Sequence, residues 1–310
     1  MTSSEQPGGP PSVRMPIAYA VMLVTPLLFA SNGVIGRVTV AEVSPFTLAF
    51  LRWGACALIL LPFVLRSGRE CLDLVRERPG TLLALGFLGM WLSGAGFYVS
   101  LQFTTATNAT MIYTTSPLFI ILLERILFAR AIRSREVAGI IVSFAGVAAI
   151  LIQGSLLTFV TGALNPGDIG VVIAAASWAA YSIIFRGPRL SRLPIMALFG
   201  LVCAAGAVLL FPFAAYEYYS GARMPSSAAA WQGIAGIIIF SSLFAFSGFQ
   251  FGLRMMGASI TGIFMYLMPV YGVVLAYVFL GERMQLHHVV GIVLVLGGVL
   301  LATIPSRKSG

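Results

Sequence analysis

The sequence predicts an all-α integral membrane protein: ten transmembrane helices arranged as two inverted five-helix repeats, with both termini in the cytoplasm. Three observations carry that prediction. Of the 310 residues, 59% are hydrophobic and only 9% charged, whereas a soluble domain carries about a quarter charged residues. So few charges cannot cover a water-facing surface, and lipid must surround most of the chain. The second half also repeats the first. A shift of 152 residues superimposes Ala106 on Ala258, Pro117 on Pro269, Gly139 on Gly291, Ile140 on Ile292 and Gly146 on Gly298, without a gap. Nearer the start of each copy a shift of 149 aligns Phe29 with Trp178, Ala30 with Ala179, Arg37 with Arg186 and Pro45 with Pro194. The third observation is that arginine and lysine fall unevenly between alternate loops.

Taken in order, residues 1–15 are rich in Pro, Gly and Ser and read as a disordered cytoplasmic tail. Arg14 before an apolar run suggests a cleaved leader, but the run continues to Gly36, which suits a spanning helix better. Apolar runs of about 20 residues cross the hydrocarbon core. The first repeat, 16–153, holds five, at roughly 16–36, 45–65, 80–101, 106–128 and 136–153. A periplasmic linker, 154–166, leads to the second repeat, 167–304. Its spans lie at roughly 167–185, 194–213, 229–252, 258–280 and 286–304, before a short tail at 305–310. With the N-terminus inside, fourteen of the 19 basic residues fall on the cytoplasmic side and three outside: Arg37, Arg223 and Arg283. Arg52 and Arg125 lie within spans. That asymmetry sets an N-in, C-in orientation. Five is odd, so the second copy enters from the opposite side, and the repeats are inverted.

Several function classes are disfavoured. The net charge of +9 is scattered through short loops, without the basic, aromatic-laced patch of a nucleic-acid binder. Cys56, Cys71 and Cys203 are isolated and read as small apolar residues. His287 and His288 are adjacent, so on a helix they face different ways and make a poor metal pair. The Gly-rich run from Gly86 to Gly96 sits inside an apolar span without a preceding strand, unlike a phosphate loop. An integral-membrane lipid enzyme needs a catalytic dyad or metal cluster, and none is legible. A channel lacks a filter motif here, whereas inverted repeats suit alternating access. No cofactor is expected.

The run from Pro269 through Tyr271-Gly272 to Leu280-Gly281-Glu282-Arg283, followed by Gly291 and the Gly297-Gly298 pair, resembles the drug/metabolite transporter superfamily, specifically its ten-helix EamA type. The first copy keeps the proline and glycines but ends Ala129-Arg130-Ala131. Pro45, Leu51-Arg52-Trp53 and Leu61-Pro62 are similar to the second helix of that family, and Ser177-Trp178-Ala179-Ala180-Tyr181 to its sixth. Among its members the chain looks most like YddG-type exporters of aromatic and other amino acids. The resemblance implies a multi-pass protein of the bacterial inner membrane that exports small metabolites. The family as a whole moves amino acids, nucleotide-sugars and drugs. Two complete repeats in one chain make a monomer sufficient.

Candidate residues follow from polarity at depth. Polar groups in a bilayer favour the protein interior or a wet cavity, so a substrate site is expected from Asn32, Trp91, Tyr98, Tyr113, Trp178, Tyr181, Ser247, Gln250 and Tyr266. Asn108 and Thr114 to Ser116 add polar atoms to the fourth span. Aromatic walls suit a zwitterion whose ammonium takes cation–π contacts. Pro117 and Pro269, at matching positions, are either gate pivots or ordinary kinks. Each frees the carbonyl four residues back, Tyr113 and Met265, and a freed oxygen could meet a substrate ammonium. Glu124 with Arg125 reads as a structural or gating pair, or as a coupling site. Arg52 enters the second span from the outside and reads as pairing with helix-end carbonyls or serving an outer gate, its partner not legible in the sequence. The first span has no acid, so transport is expected to be facilitated rather than proton-coupled. Gly139, Ser143 and Gly146, echoed by Gly291 and Gly298, form a small-residue stripe suited to close helix contact.

Overall fold

A computed structural model describes residues 14–128, 134–151, 165–185, 187, 190–249, 251–252, 255, 264–265 and 267–303. Among these the regular structure is entirely helical. The tails to residue 13 and from residue 304, and linker residues 154–164, lie outside the described residues, as do Gln250 and Tyr266.

Eleven helices order the described chain: α1 Arg14–Glu42, α2 Pro45–Arg66, α3 Gly68–Glu77, α4 Pro79–Leu101, α5 Ala106–Phe128, α6 Ser134–Leu151, α7 Pro166–Phe185, α8 Ile195–Tyr219, α9 Ala228–Phe249, α10 Met268–Leu280 and α11 Leu286–Thr303. Seven of them (α1, α2, α4, α5, α7, α8 and α9) are long and apolar enough to cross a bilayer, and shorter apolar stretches lie in α6, α10 and α11. α1 continues two turns past the predicted end at Gly36, because its last turns have partners: Arg37 donates to the Leu101 carbonyl, and Glu42 accepts from Ser227. α3 was not predicted. It buries Cys71 and Leu74, three apart on one face, and exposes Leu72 and Val75, the pattern of a helix lying along an interface.

Local sequence explains the helix ends. Pro45 opens α2 at a position that needs no amide donor, after Ser44 in an extended conformation. α10 closes at Gly281, whose φ of 65° is the left-handed cap that glycine adopts without a Cβ penalty. The fourth span is not one continuous helix. It breaks at Thr114–Thr115, just ahead of Pro117, into Ala106–Tyr113 and Ser116–Phe128. Two others change pitch: α4 is π-helical over Gly86–Ala95 and α9 over Ile237–Phe244. Shifted by 152 residues the first segment becomes 238–247, so the two π segments overlap across the halves.

The helix contacts exchange between halves in the same way. α2 lies along α8, and α6 along α11. α1 packs on α9 and α10 of the second half, while α7 packs on α4 and α5 of the first. Glycine makes the α6–α11 contact close. A Cβ on Gly146 would meet the Val295 amide at 2.8 Å and the Gly291 carbonyl at 2.9 Å, and Ser143 donates to the Val295 carbonyl at 3.2 Å. In lipid, where apolar burial between helices contributes little, such backbone approach and interhelical hydrogen bonding hold a bundle together.

Candidate functional site

Arg52 lies seven residues into α2, about 10 Å along its axis, and only 6% of it is exposed. Its Nε donates to Ser242 Oγ at 2.8 Å, and its Nη1 to Tyr98 Oη at 2.7 Å and Asn32 Oδ1 at 3.1 Å. Tyr98 Oη in turn donates to Asn32 Oδ1 at 2.9 Å, and Ser242 donates to the Ile237 carbonyl five residues back, within the π segment. The guanidinium carbon sits 4.1 Å from the centre of the Trp53 ring. One cation thus ties α1, α2, α4 and α9, drawn from both halves. The sequence left its partner open between helix-end carbonyls and an outer gate; the partners are side chains, since Asn32, Tyr98 and Ser242 converge on it from three neighbouring helices.

A series of aromatic rings leads away from this group, starting with Trp53 edge-on to Phe199 at 6.3 Å. Trp178 and Tyr181 on α7 stack at 4.8 Å, Tyr181 meets Phe185 at 5.3 Å, and Phe246 of α9 stacks on Phe199 at 3.9 Å. Tyr181 lies against α4 where a Cβ on Gly89 would come within 2.7 Å of its ring. Its hydroxyl is buried without a hydrogen-bond partner among the described residues. Tyr113 and Ser93 share a 2.6 Å hydrogen bond, with Phe97 edge-on to Tyr113 at 5.6 Å. Trp91 is not part of this assembly. Its ring sits among Phe46, Phe87 and Phe213, between α2, α4 and α8. Ser247 is half-buried further along α9.

The carbonyl four residues before Pro117 has a partner within its own helix. At the break in α5, Ser116 Oγ donates to the Tyr113 carbonyl at 2.6 Å, Thr115 to Ile112 at 2.7 Å and Thr114 to Thr110 at 2.8 Å. The oxygen freed by Pro117 therefore already accepts from a hydroxyl three residues on. Pro269 is buried in the first turn of α10, where a missing amide costs nothing. Glu124 is half-buried and Arg125 exposed near the end of α5, and both have interaction partners.

One end of the bundle is fastened by contacts the sequence did not reveal. Glu282, just past α10, accepts from the first amides of α5, Ala106 at 2.9 Å and Thr107 at 3.0 Å. Glu217 near the end of α8 accepts from the first amides of α2, Phe46 at 3.2 Å and Thr47 at 2.7 Å. Each carboxylate satisfies amides that a helix start leaves unpaired and meets the positive end of its dipole. Asp168, in the first turn of α7, is completely buried; it accepts from Thr104 and, at 3.2 Å, from Asn108 Nδ2. Asn108 Oδ1 lies 3.0 Å from His288 Nε2. His288 Nδ1 accepts the Gln285 amide at 3.1 Å, so the ring proton is on Nε2 and donates to Asn108. The available signal was Asp168 directly after the helix-opening Pro166-Gly167 pair, matched with a polar start to α5.

Comparison with known proteins accounts for the whole arrangement. The sequence profile of the EamA-like transporter family matches residues 16–152 and again 165–304. The uncharacterized transporter YyaM of Bacillus subtilis is 26% identical over 286 residues, covering 92% of this chain and 93% of that one. The uncharacterized inner membrane transporter YedA of Escherichia coli is 25% identical over 295 residues, covering 92% and 90%. A solved crystal structure at 21% identity superimposes with a TM-score of 0.65, over 94% of this chain and 99% of the other, and shares the fold. The protein is a multi-pass membrane transporter that belongs to the EamA-like family of the drug/metabolite transporter superfamily.

Proposed function

We propose that this transporter exports small metabolites, foremost aromatic and other neutral amino acids, across the bacterial inner membrane by alternating access. In this reading the chain crosses ten times, as two inverted five-helix repeats with both termini in the cytoplasm, and one chain suffices. The exchanged helix contacts, the overlapping π segments and the fourteen-to-three arginine and lysine bias support it. π segments occur disproportionately at functional sites, and midplane sites between repeats are the usual place for a substrate.

The observation that carries the reading is the buried Arg52 group and the series of rings that runs from Trp53 through Phe199, Phe246 and Phe185 to the Trp178–Tyr181 stack. Hydrogen-bonding groups next to aromatic faces, deep in an otherwise apolar bundle, match an amino acid with its charged end and apolar side chain. Asn32, Tyr98, Tyr113, Trp178 and Tyr181 are the proposed contacts, with Pro117 as the pivot of the broken α5. Transport is facilitated, and Glu124 serves the inner end of α5 rather than coupling.

The test is a panel of radiolabelled amino acids offered to proteoliposomes, with and without counterflow. Saturable flux of aromatic amino acids supports the reading, and conductance without saturation refutes it. A pH gradient at zero membrane potential that drives accumulation, lost in Glu124→Gln, would replace facilitation with proton coupling. Reporter fusions after Arg78 and near Tyr218 should give opposite sides; the same side from both would end the inverted arrangement.

A further inference from the structure

We propose that Arg52 anchors the carboxylate of the substrate, so the site selects compounds that carry one and rejects their esters, amides and parent amines. The proposal rests on the transporter reading above and names its substrate chemistry. A buried cation in a membrane protein is costly and is normally paired or faces a polar path. Here all three recorded hydrogen bonds of Arg52 go to neutral oxygens, those of Ser242, Tyr98 and Asn32. Among the described residues no carboxylate contacts it. Four acids of the bundle are committed elsewhere: Asp168 to Thr104 and Asn108, Glu217 to the start of α2, Glu282 to the start of α5, and Glu42 to Ser227.

The hydrogen-bond arithmetic shows where an anion fits. Nη1 uses both its hydrogens on Tyr98 and Asn32, and Nε uses its only one on Ser242. Nη2 carries two more, and neither meets an acceptor among the described residues. A carboxylate prefers two parallel donors of one guanidinium, and the Nε–Nη2 edge is the one with a free half. Binding in the fork replaces the Ser242 hydroxyl at Nε; Ser242 keeps its bond to the Ile237 carbonyl. The carboxylate therefore competes with the tie between α2 of the first half and α9 of the second. Occupancy itself loosens a contact between the halves, and a neutral ester or amide, lacking the charge, does so far less.

The experiment uses the full-length protein in proteoliposomes and compares L-phenylalanine, 3-phenylpropionate, L-phenylalaninamide and phenethylamine as inhibitors of flux, alongside the radiolabelled panel. The expected result is inhibition by the two carboxylates and a loss of about ten- to hundred-fold on removing the charge, the range of a charge-assisted hydrogen bond. Arg52→Gln should weaken the carboxylates by a similar factor and leave phenethylamine unchanged, while Ser242→Ala should strengthen them. The wild-type series needs no variant, so misfolding of Arg52→Gln leaves the test intact. Amide and amine acting as well as the acids would overturn the anchor while leaving the transporter reading in place. Flux of organic acids but no amino acid would sink the amino-acid reading and sustain the anchor.

Discussion

Gly297 and Gly298 are neighbours on α11, and the structure assigns them opposite fates on substitution. A Cβ on Gly298 would lie 2.5 Å from the Gly139 carbonyl oxygen and 2.6 Å from the Ser143 amide nitrogen on α6, whereas one on Gly297 meets nothing within 4 Å. Heavy atoms in contact sit about 3.5–4 Å apart, so Gly298→Ala requires α6 and α11 to separate by about 1 Å. A gap of that size forfeits up to about half of each atom–atom attraction along the seam, and it stretches the 3.2 Å bond from Ser143 to the Val295 carbonyl. We expect a destabilisation of about 1–3 kcal/mol, the usual cost of forced overpacking. Gly297→Ala should be neutral or stabilising by up to about 1 kcal/mol, because alanine favours a helix. Thermal unfolding in detergent, followed by tryptophan fluorescence, reads both. Equal melting temperatures for the two variants would refute the close approach of α6 and α11.

Further expectations concern the site and the helix ends. Trp178→Ala and Tyr98→Ala should lower transport far more than Val293→Ala, a residue 62% exposed on α11, and equal losses at matched expression would reduce the aromatics to packing. Glu282→Ala strips the first amides of α5 of their acceptor and should cost about 1 kcal/mol, the scale of a lost helix cap; an unchanged melting temperature would count against that role. Burial, with Glu70 adding to it, pushes the Cys71 thiol above its ordinary range. Since the thiolate is the reacting form, maleimide labelling of Cys71 should rise only at a higher pH than for a free thiol, and Glu70→Gln should shift the profile part of the way down. A profile centred at the ordinary thiol value would contradict that burial.

What the sequence made legible followed from periodicity and repetition. Apolar runs located the long helices, and the Gly139–Gly146 and Gly291–Gly298 stripes identified the α6–α11 contact, because small residues in lipid have few other uses. Tyr98, Asn32 and Arg52 were each singled out by polarity at depth. Their convergence was not visible, since it depends on how four helices rotate. The π segments were equally hidden: a local change of pitch leaves hydropathy unaltered. Asp168, Asn108 and His288 looked like unrelated end-of-helix residues, because 60 positions separate the first two in sequence and 180 separate Asn108 from His288. Pro117 marked a pivot or kink in the sequence, and the helix breaks just ahead of it; that Ser116, one position earlier, bonds the Tyr113 carbonyl was not visible.

Arg52 also has a consequence for symmetry. The shift that aligns Pro45 with Pro194 carries Arg52 onto Leu201 of α8, so the sequence is duplicated but this buried guanidinium is not. Two copies of one unit cannot then be equal in energy. A molecule approaching from one face of the membrane meets the guanidinium at a different depth, and in a different orientation, from one approaching from the other face. Apparent affinities measured from the two sides should be unequal. That polarity comes from a single side chain in a duplicated chain.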